Sequence, residues 1–268
     1  MGLKFGTLWF GNEPTLLQEI SWNSYIYHGH ELNIYLYDMS IKVPDGAIKK
    51  DANEIMLEKE IFLTKFDDIL CGGGHQQFAD LFRLYMLKKT NLIWTDSDMV
   101  CLKDTWPDPE PYLFGFFIDL PEPAKKPIRV NNDILYISNH KIIDEIIENF
   151  IFMPTASNKD QITYGPDLLT NIIKKNNLMN FVKEENVFHP IRYSHSSDFI
   201  NPMLYEKTKS LIANSVAVSL FNSSWLRHGL SIPKIESAPK ENTLIGYLTK
   251  KYIPIKLNQR KEKRKNER

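Results

Sequence analysis

The feature that most constrains this chain is the strand–helix–strand order of its opening residues. Leu3-Lys4-Phe5-Gly6-Thr7-Leu8-Trp9-Phe10 reads as a strand running into a loop at Gly11-Asn12-Glu13-Pro14. Thr15 is placed to cap a helix over Leu16 to Tyr27, and Gly29, within His28-Gly29-His30, supplies its stop. Leu32-Asn33-Ile34-Tyr35-Leu36-Tyr37 alternates as a second strand. Strands joined by a helix at this spacing lie parallel, so the chain is expected to build an α/β fold whose sheet is parallel at its core.

The alternation continues downstream. A helical stretch is expected around Ala52 to Glu60, then a loop at Cys71-Gly72-Gly73-Gly74-His75. A firm helix over Gln76 to Lys88 follows, because Phe78, Leu81, Phe82, Tyr85 and Met86 recur at helical spacing. Six prolines from Pro107 to Pro127 punctuate a region of short strands and loops. Ile134 to Ile137 and Val216 to Phe221 read as strands, Ile142 to Ile151 and Asp167 to Lys175 as helices. No internal repeat and no linker interrupts residues 1–257, which are read as one domain. Gly72-Gly73-Gly74 lacks the Gly-Lys-Ser/Thr continuation of a phosphate-binding loop and reads as a loop that closes over a ligand.

Charge excludes one class of partner. Thirty-three basic residues balance thirty-three acidic ones, so no global field points to nucleic acid. The exception is Asn258 to Arg268, with six basic residues against two acidic ones and no apolar residue. That segment is expected to be a disordered tail, either simply solvated or making peripheral contact with anionic lipid on the cytoplasmic face. The opening residues lack a signal-peptide pattern, and two cysteines in a chain of this size read as reduced thiols, so a cytoplasmic location is expected. No apolar run approaches the ~18 residues that span a bilayer.

The chemistry centres on Asp96 and Asp98, in Leu92-Ile93-Trp94-Thr95-Asp96-Ser97-Asp98-Met99-Val100. An apolar run ends abruptly in two carboxylates one residue apart. On extended backbone, residues i and i+2 point the same way, so both would face one spot. Two hard anionic ligands at one spot suit Mn²⁺ or Mg²⁺ shared with a diphosphate. The bland alternative is a strand followed by an acidic turn. Asp80 and Arg83, three apart on the preceding helix, share a face. They read either as a surface ion pair or as a clamp, with Asp80 accepting from sugar hydroxyls and Arg83 neutralising anionic oxygens. Asn131-Asn132-Asp133 reads as a polar turn or as a set that positions substrate hydroxyls. His28 and His30 read as structural residues at a helix end, and His189 and His195 as isolated.

Phe78 to Leu87, followed by Ile93 to Leu102, resembles the DXD-containing sugar-binding region of the retaining glycosyltransferases of family 32, relatives of α-1,4-glycosyltransferases and capsular polysaccharide enzymes. Leu8-Trp9-Phe10-Gly11 is similar to the opening strand end of that family, and Tyr164-Gly165-Pro166-Asp167-Leu168-Leu169-Thr170 to its Gly-Pro segment. The resemblance implies a GT-A fold, a single Rossmann-like α/β domain with a mixed, mostly parallel central sheet. Such a fold binds a nucleotide-sugar, usually a uridine diphosphate (UDP) sugar, with Mn²⁺ or Mg²⁺, and transfers the sugar to a glycan or glycolipid acceptor. It implies that Trp9 stacks on the base, Asp80 and Arg83 hold the donor sugar, and Asp96 and Asp98 serve the metal. Asn222, Ser224 and Trp225 become neighbours of the metal and diphosphate; Asn132, Asp133, Gly165 and Asp167 join the substrate-binding set. Two departures stand out. Thr90-Asn91 replaces the Gly-Gly common before the strand, and Ser219 stands where relatives often place a histidine near the metal, a role His228 is near enough in sequence to fill. The rivals are a catalytically decayed nucleotide-sugar binder and a metal-dependent phosphoester hydrolase.

Overall fold

Parallel pairing begins where the opening residues require it. In the computed structural model, which describes residues 2–11, 13–60, 75–117, 129–152, 163–227 and 240–253, β1 (Lys4–Trp9), α1 (Leu16–Tyr27) and β2 (Glu31–Leu36) form a crossover unit. β1 and β2 pair in parallel from Lys4 opposite Glu31 to Trp9 opposite Leu36. A capping box starts α1: the Thr15 hydroxyl accepts from the Leu17 amide at 3.2 Å, and the Gln18 side chain accepts from the Thr15 amide at 3.2 Å. Gly29 ends the turn with φ at 75°, a conformation that favours glycine.

β3 (Ile48–Asp51) adds in parallel to β2. The helix expected over Ala52 to Glu60 is two 3₁₀ turns, Ala52–Glu54 and residues 58–60, with irregular backbone between them. Asp51 caps the first, accepting from the Asn53 amide at 2.9 Å. Further along, the Glu58 amide donates to the Asn53 side chain at 3.2 Å and the Leu57 amide to the Glu60 side chain at 2.7 Å, bonds that take the place of helical ones. The chain continues through α2 (His75–Lys89), β4 (Ile93–Thr95), β5 (Met99–Cys101), β6 (Tyr112–Phe117), β7 (Arg129–Ile137) and α3 (His140–Phe152). A π-helical turn at Thr163–Asp167 leads into α4 (Leu168–Lys175). α5 (Glu185–Phe188), α6 (Tyr205–Ile212), β8 (Ala217–Ser219), α7 (Asn222–Arg227) and α8 (Leu244–Tyr252) follow, with 3₁₀ helices at Met179–Phe181, Tyr193–Ile200 and Pro202–Leu204.

The six-stranded sheet has the order β3-β2-β1-β4-β7-β6. β3, β2, β1 and β4 are mutually parallel, β7 runs against β4, and β6 runs against β7. This is the mixed, mostly parallel α/β architecture expected from the sequence. Beside it, β5 and β8 form a two-stranded antiparallel ribbon with Met99 opposite Ser219.

Two apolar clusters hold these parts. The larger gathers Phe5, Ile34, Phe78, Phe82, Trp94 and Leu135 around the main sheet. The smaller gathers Leu17, Ile20, Val100, Val218, Trp225 and Ile245, tying the ribbon to α1, α7 and α8. Each such side chain contributes roughly 1.5–3 kcal/mol on full burial, so the ribbon that follows Asp98 is anchored as firmly as the sheet.

One irregularity matters for the site. Along β6 and β7, Phe114 lies opposite Leu135, but Gly115 lies opposite Asn131. Asn132, Asp133 and Ile134 therefore have no partner on β6. The expected polar turn before a short strand is a bulge inside a longer one, of the kind that re-aims side chains beside active sites. Cys101 is a buried free thiol. Cys71, the Gly72–Gly74 loop, His228 and the basic segment 258–268 lie outside the described residues. Among those described, no helix is long and apolar enough to cross a membrane.

Thr15→Ala removes the hydroxyl half of the α1 capping box. It is expected to lower stability by ~1 kcal/mol, read as a reduced urea midpoint with unchanged denaturant slope.

Candidate active site

A cavity of about 330 Å³ opens at the C-terminal ends of β1 and β4. Ligands of open α/β sheets bind at this edge. Asp80, Arg83, Asp96, Asp98, Asn132, Asp133 and Asn222 all line it. They arrive from α2, from the turn after β4, from the bulge in β7 and from the start of α7.

α2 presents Asp80 and Arg83 on one face, as their spacing requires. Arg83 is buried and fully engaged. Its Nη2 lies 3.0 Å from Asp80 Oδ1 and its Nη1 3.3 Å from Asp96 Oδ1. Nη1 also donates to the Asn132 carbonyl, and Nε donates to the Ala79 carbonyl at 3.2 Å. The guanidinium carbon sits 4.9 Å from the Trp94 ring centroid. Arg83 is thus occupied in holding two carboxylates and a bulge carbonyl together. Asn132 Nδ2 donates to Asp80 Oδ1 at 2.7 Å, fixing the same carboxylate from the other side. Gly165 must be small here: a Cβ on it would lie 2.8 Å from Asn132 Nδ2 and 3.0 Å from Asp80 Oδ2.

Asp96 and Asp98 share the cavity, but not through extended backbone. β4 ends at Thr95, and the Met99 amide donates to the Asp96 carbonyl at 3.1 Å, closing a tight turn between β4 and β5. The same-face argument from strand alternation is replaced by turn geometry. Asp96 Oδ1 accepts from Trp94 Nε1 at 2.7 Å, and the Asp96 amide donates to the Asp133 carbonyl at 2.8 Å. Asp98 grips the segment after β8: its carbonyl accepts from the Leu220 amide at 3.0 Å, and its Oδ2 accepts from the Asn222 amide at 2.7 Å. Phe221, between those two amides, has φ at 50°. A left-handed conformation costs an L-residue roughly 1–2 kcal/mol, and the two bonds to Asp98 hold it.

Burial dominates the electrostatics. It raises the Asp98 carboxyl to about 7, with the Asp96 charge adding to the shift. Burial lifts Asp80 to about 6, against the pull of Arg83. Asp96 is raised by burial first, with Arg83 opposing and Asp133 reinforcing. Three oxygens on lining side chains, Gln76 Oε1, Asp133 Oδ1 and Asn222 Oδ1, are buried and accept no hydrogen bond. The cavity is therefore rich in acceptors and short of positive charge, which fits a divalent cation held by Asp96, Asp98 and Asn222. Among the described residues no three acidic, histidine or cysteine side chains converge to hold a metal by themselves. The remaining ligands would be substrate oxygens and water.

Other expected residues fall elsewhere. Trp9 packs edge-on against Trp22 with centroids 6.0 Å apart, and Leu8 rather than Trp9 lines the cavity. Asp167 pairs with Arg129 at 2.7 Å outside the lining, whereas its neighbour Pro166 lines it. Trp225 is fully buried in the smaller core and donates its indole N–H to the Leu220 carbonyl at 2.8 Å, so it is a core residue. Ser219 lines the cavity and accepts from the Phe221 amide at 3.2 Å. His28 contacts the Tyr252 hydroxyl and His30 the Lys103 carbonyl, in keeping with structural roles. His189 is not isolated: it is buried, with Nε2 2.7 Å from Asp133 Oδ2. Gln76 and Tyr193 also line the cavity. Gln76 was findable, four residues before Asp80 on one helix face; Tyr193 and His189 carried no local signal.

No protein-family model matches this chain, and no curated protein matches it. Among solved structures, the chain is similar to the PaToxG glycosyltransferase, with 16% identity over 92% of this chain and 85% of that one, at a TM-score of 0.45. It is also similar to the apo-form glycosyltransferase GlyE of Streptococcus pneumoniae TIGR4, with 13% identity over 97% of this chain and 64% of that one, at a TM-score of 0.45.

The raised carboxyl of Asp98 has a signed consequence. Folded Asp98 holds its proton up to about 7, against 3.8 for the ordinary group. Its contribution to stability is therefore present at low pH and lost as pH rises through about 7. Metal-free Asp98→Asn is expected to gain thermal midpoint relative to wild type between pH 4 and pH 8, by about 2 °C or more. A difference that stays flat with pH contradicts an Asp98 carboxyl raised by its surroundings.

Proposed function

We propose that this chain is a metal-dependent retaining glycosyltransferase of the GT-A type. It moves a sugar from a nucleotide-sugar, a UDP-sugar, to a glycan or glycolipid acceptor in surface polysaccharide synthesis. The observation that carries this reading is the meeting, in one cavity at the C-terminal strand edge, of Asp80 on its helix with the Asp96–Asp98 turn and Asn222. A sugar clamp and a divalent-cation site side by side suit a sugar diphosphate better than a simple phosphoester.

A bound Mn²⁺ or Mg²⁺ would act as a Lewis acid on the departing diphosphate. Asp80, fixed from two sides by Arg83 and Asn132, is oriented to accept from hydroxyls of the donor sugar. Arg83 lines the cavity and holds Asp80 and Asp96 in it. Asn222 keeps an amide oxygen without a donor at the cavity wall. The acceptor hydroxyl attacks the anomeric carbon from the face the diphosphate leaves. A new C–O bond forms, the bond to the diphosphate breaks with its electron pair, and the hydroxyl proton passes to a phosphate oxygen. Of the two carboxylates otherwise suited to double displacement, Asp133 has its Oδ2 held by His189 and Asn131, and Asp167 pairs with Arg129 outside the lining. The basic segment 258–268 would bring the enzyme to an anionic membrane surface on the cytoplasmic side, where lipid-linked acceptors are presented.

One observation favours binding without transfer, the decayed form. Ser219, at the position where an imidazole is common in relatives, has its hydroxyl engaged by the Phe221 amide.

Calorimetric titration with a panel of nucleotide-sugars, with and without Mn²⁺, tests the proposal on wild type and Asp98→Ala. One UDP-sugar is expected to bind only with Mn²⁺, and at least ~10-fold more weakly to the variant. UDP release on adding a glycan acceptor separates the enzyme from the decayed binder. Folded wild type that binds no panel member contradicts the assignment.

A further inference from the structure

We infer that His189 is a positioning residue for this site, acting through Asp133 and the bulge in β7. The inference rests on the function proposed above and assigns a role to a histidine far from the acidic motif.

The bulge is the joint of the cavity. Lacking partners on β6, Asn132 to Ile134 cannot take their conformation from a ladder on that side. Their backbone and side chains nevertheless carry much of the site. The Asn132 carbonyl accepts from Arg83, and the Asp133 carbonyl accepts from the Asp96 amide at 2.8 Å. Asn132 Nδ2 holds Asp80 at 2.7 Å. Whatever fixes the bulge therefore fixes Asp80, Arg83 and Asp96 relative to one another.

Asp133 ties the bulge down, and His189 ties Asp133. Asp133 Oδ2 accepts from His189 Nε2 at 2.7 Å and from Asn131 Nδ2 at 2.8 Å. The ring lies against β6 at Gly115, beside the place where the ladder between β6 and β7 is interrupted. Gly115 allows the approach: a Cβ there would lie 3.2 Å from His189 Cε1. The ring is 1% exposed. Burial alone would depress its basicity, but the Asp133 charge outweighs it and the histidine is raised. The pair is a buried ionic strut, and removing one partner leaves the other charge uncompensated. Asp133 would then turn or draw in water, and the bulge would move with it. Displacements of about 1 Å in groups that orient reactants cost rate and affinity steeply.

The test uses the full chain with His189→Leu, which removes the strut, and His189→Gln, which keeps a neutral N–H donor. UDP binding in the presence of Mn²⁺ is measured by calorimetry beside the thermal midpoint. His189→Leu is expected to bind at least tenfold more weakly than wild type, and His189→Gln to recover to within threefold. Should His189→Leu fail to fold, His189→Asn, whose amide stops short of Asp133, takes its place with the same expectation. A folded strut-less variant that binds like wild type, whatever its midpoint, overturns the inference, as does a glutamine variant that recovers nothing. Wild type without Mn²⁺-dependent UDP binding overturns the proposed function instead, and the inference with it.

Discussion

A buried guanidinium, Arg83, is the contact on which the rest of the site depends. Taking an arginine out of water is costly unless its charge and its donors are met. Here Asp80, Asp96 and two backbone carbonyls meet them, and the Trp94 ring lies beneath. Those partners belong to α2, the end of β4 and the bulge in β7, so one side chain sets three elements against each other. The arrangement is incomplete in charge. Among the described residues, Asp80, Asp96, Asp98 and Asp133 line the cavity with Arg83 as the one basic side chain in the lining, and His189 stands against Asp133. The upward shifts of Asp80, Asp96 and Asp98 are the electrostatic record of that shortfall. On the proposed function, a bound divalent cation would make it good.

The candidate site is concentrated where the backbone departs from regularity. The turn from Asp96 to Asp98, the left-handed Phe221 and the unmatched residues of β7 all lie at one sheet edge. Each is held by bonds from neighbours: Asp98 to the amides on both sides of Phe221, Asp96 and Arg83 to the bulge carbonyls. Irregular backbone of this kind persists only when its surroundings over-determine it. The two apolar clusters provide that determination, one under the sheet and one under the β5–β8 ribbon.

Much of this was legible in the chain. The crossover unit, the helix before the acidic pair and the shared face of Asp80 and Arg83 follow from periodicity, which depends on local spacing alone. α2 extends the expected helix by one residue at each end. What escaped depended on tertiary context. The turn at Asp96–Asp98 arises because β4 ends early to feed a second sheet, which an apolar run does not announce. His189 meets Asp133 across 56 residues through the fold, and nothing near it in sequence marks it. Trp225 illustrates the converse: a tryptophan beside polar residues suggests a binding face, yet its ring fills a core and its N–H is satisfied within five residues. Over Ala52 to Glu60, side-chain bonds from Asn53 and Glu60 to the amides of Glu58 and Leu57 stand in place of helical ones.

The most direct measurement is an anomalous-diffraction map of a crystal grown with Mn²⁺ and UDP. The account predicts a single metal peak between the Asp96 and Asp98 carboxylates and the Asn222 amide oxygen, with the diphosphate completing its shell and Asp80 and Arg83 left in place. A well-ordered nucleotide with no metal at these carboxylates, or a metal held elsewhere on the chain, would contradict it.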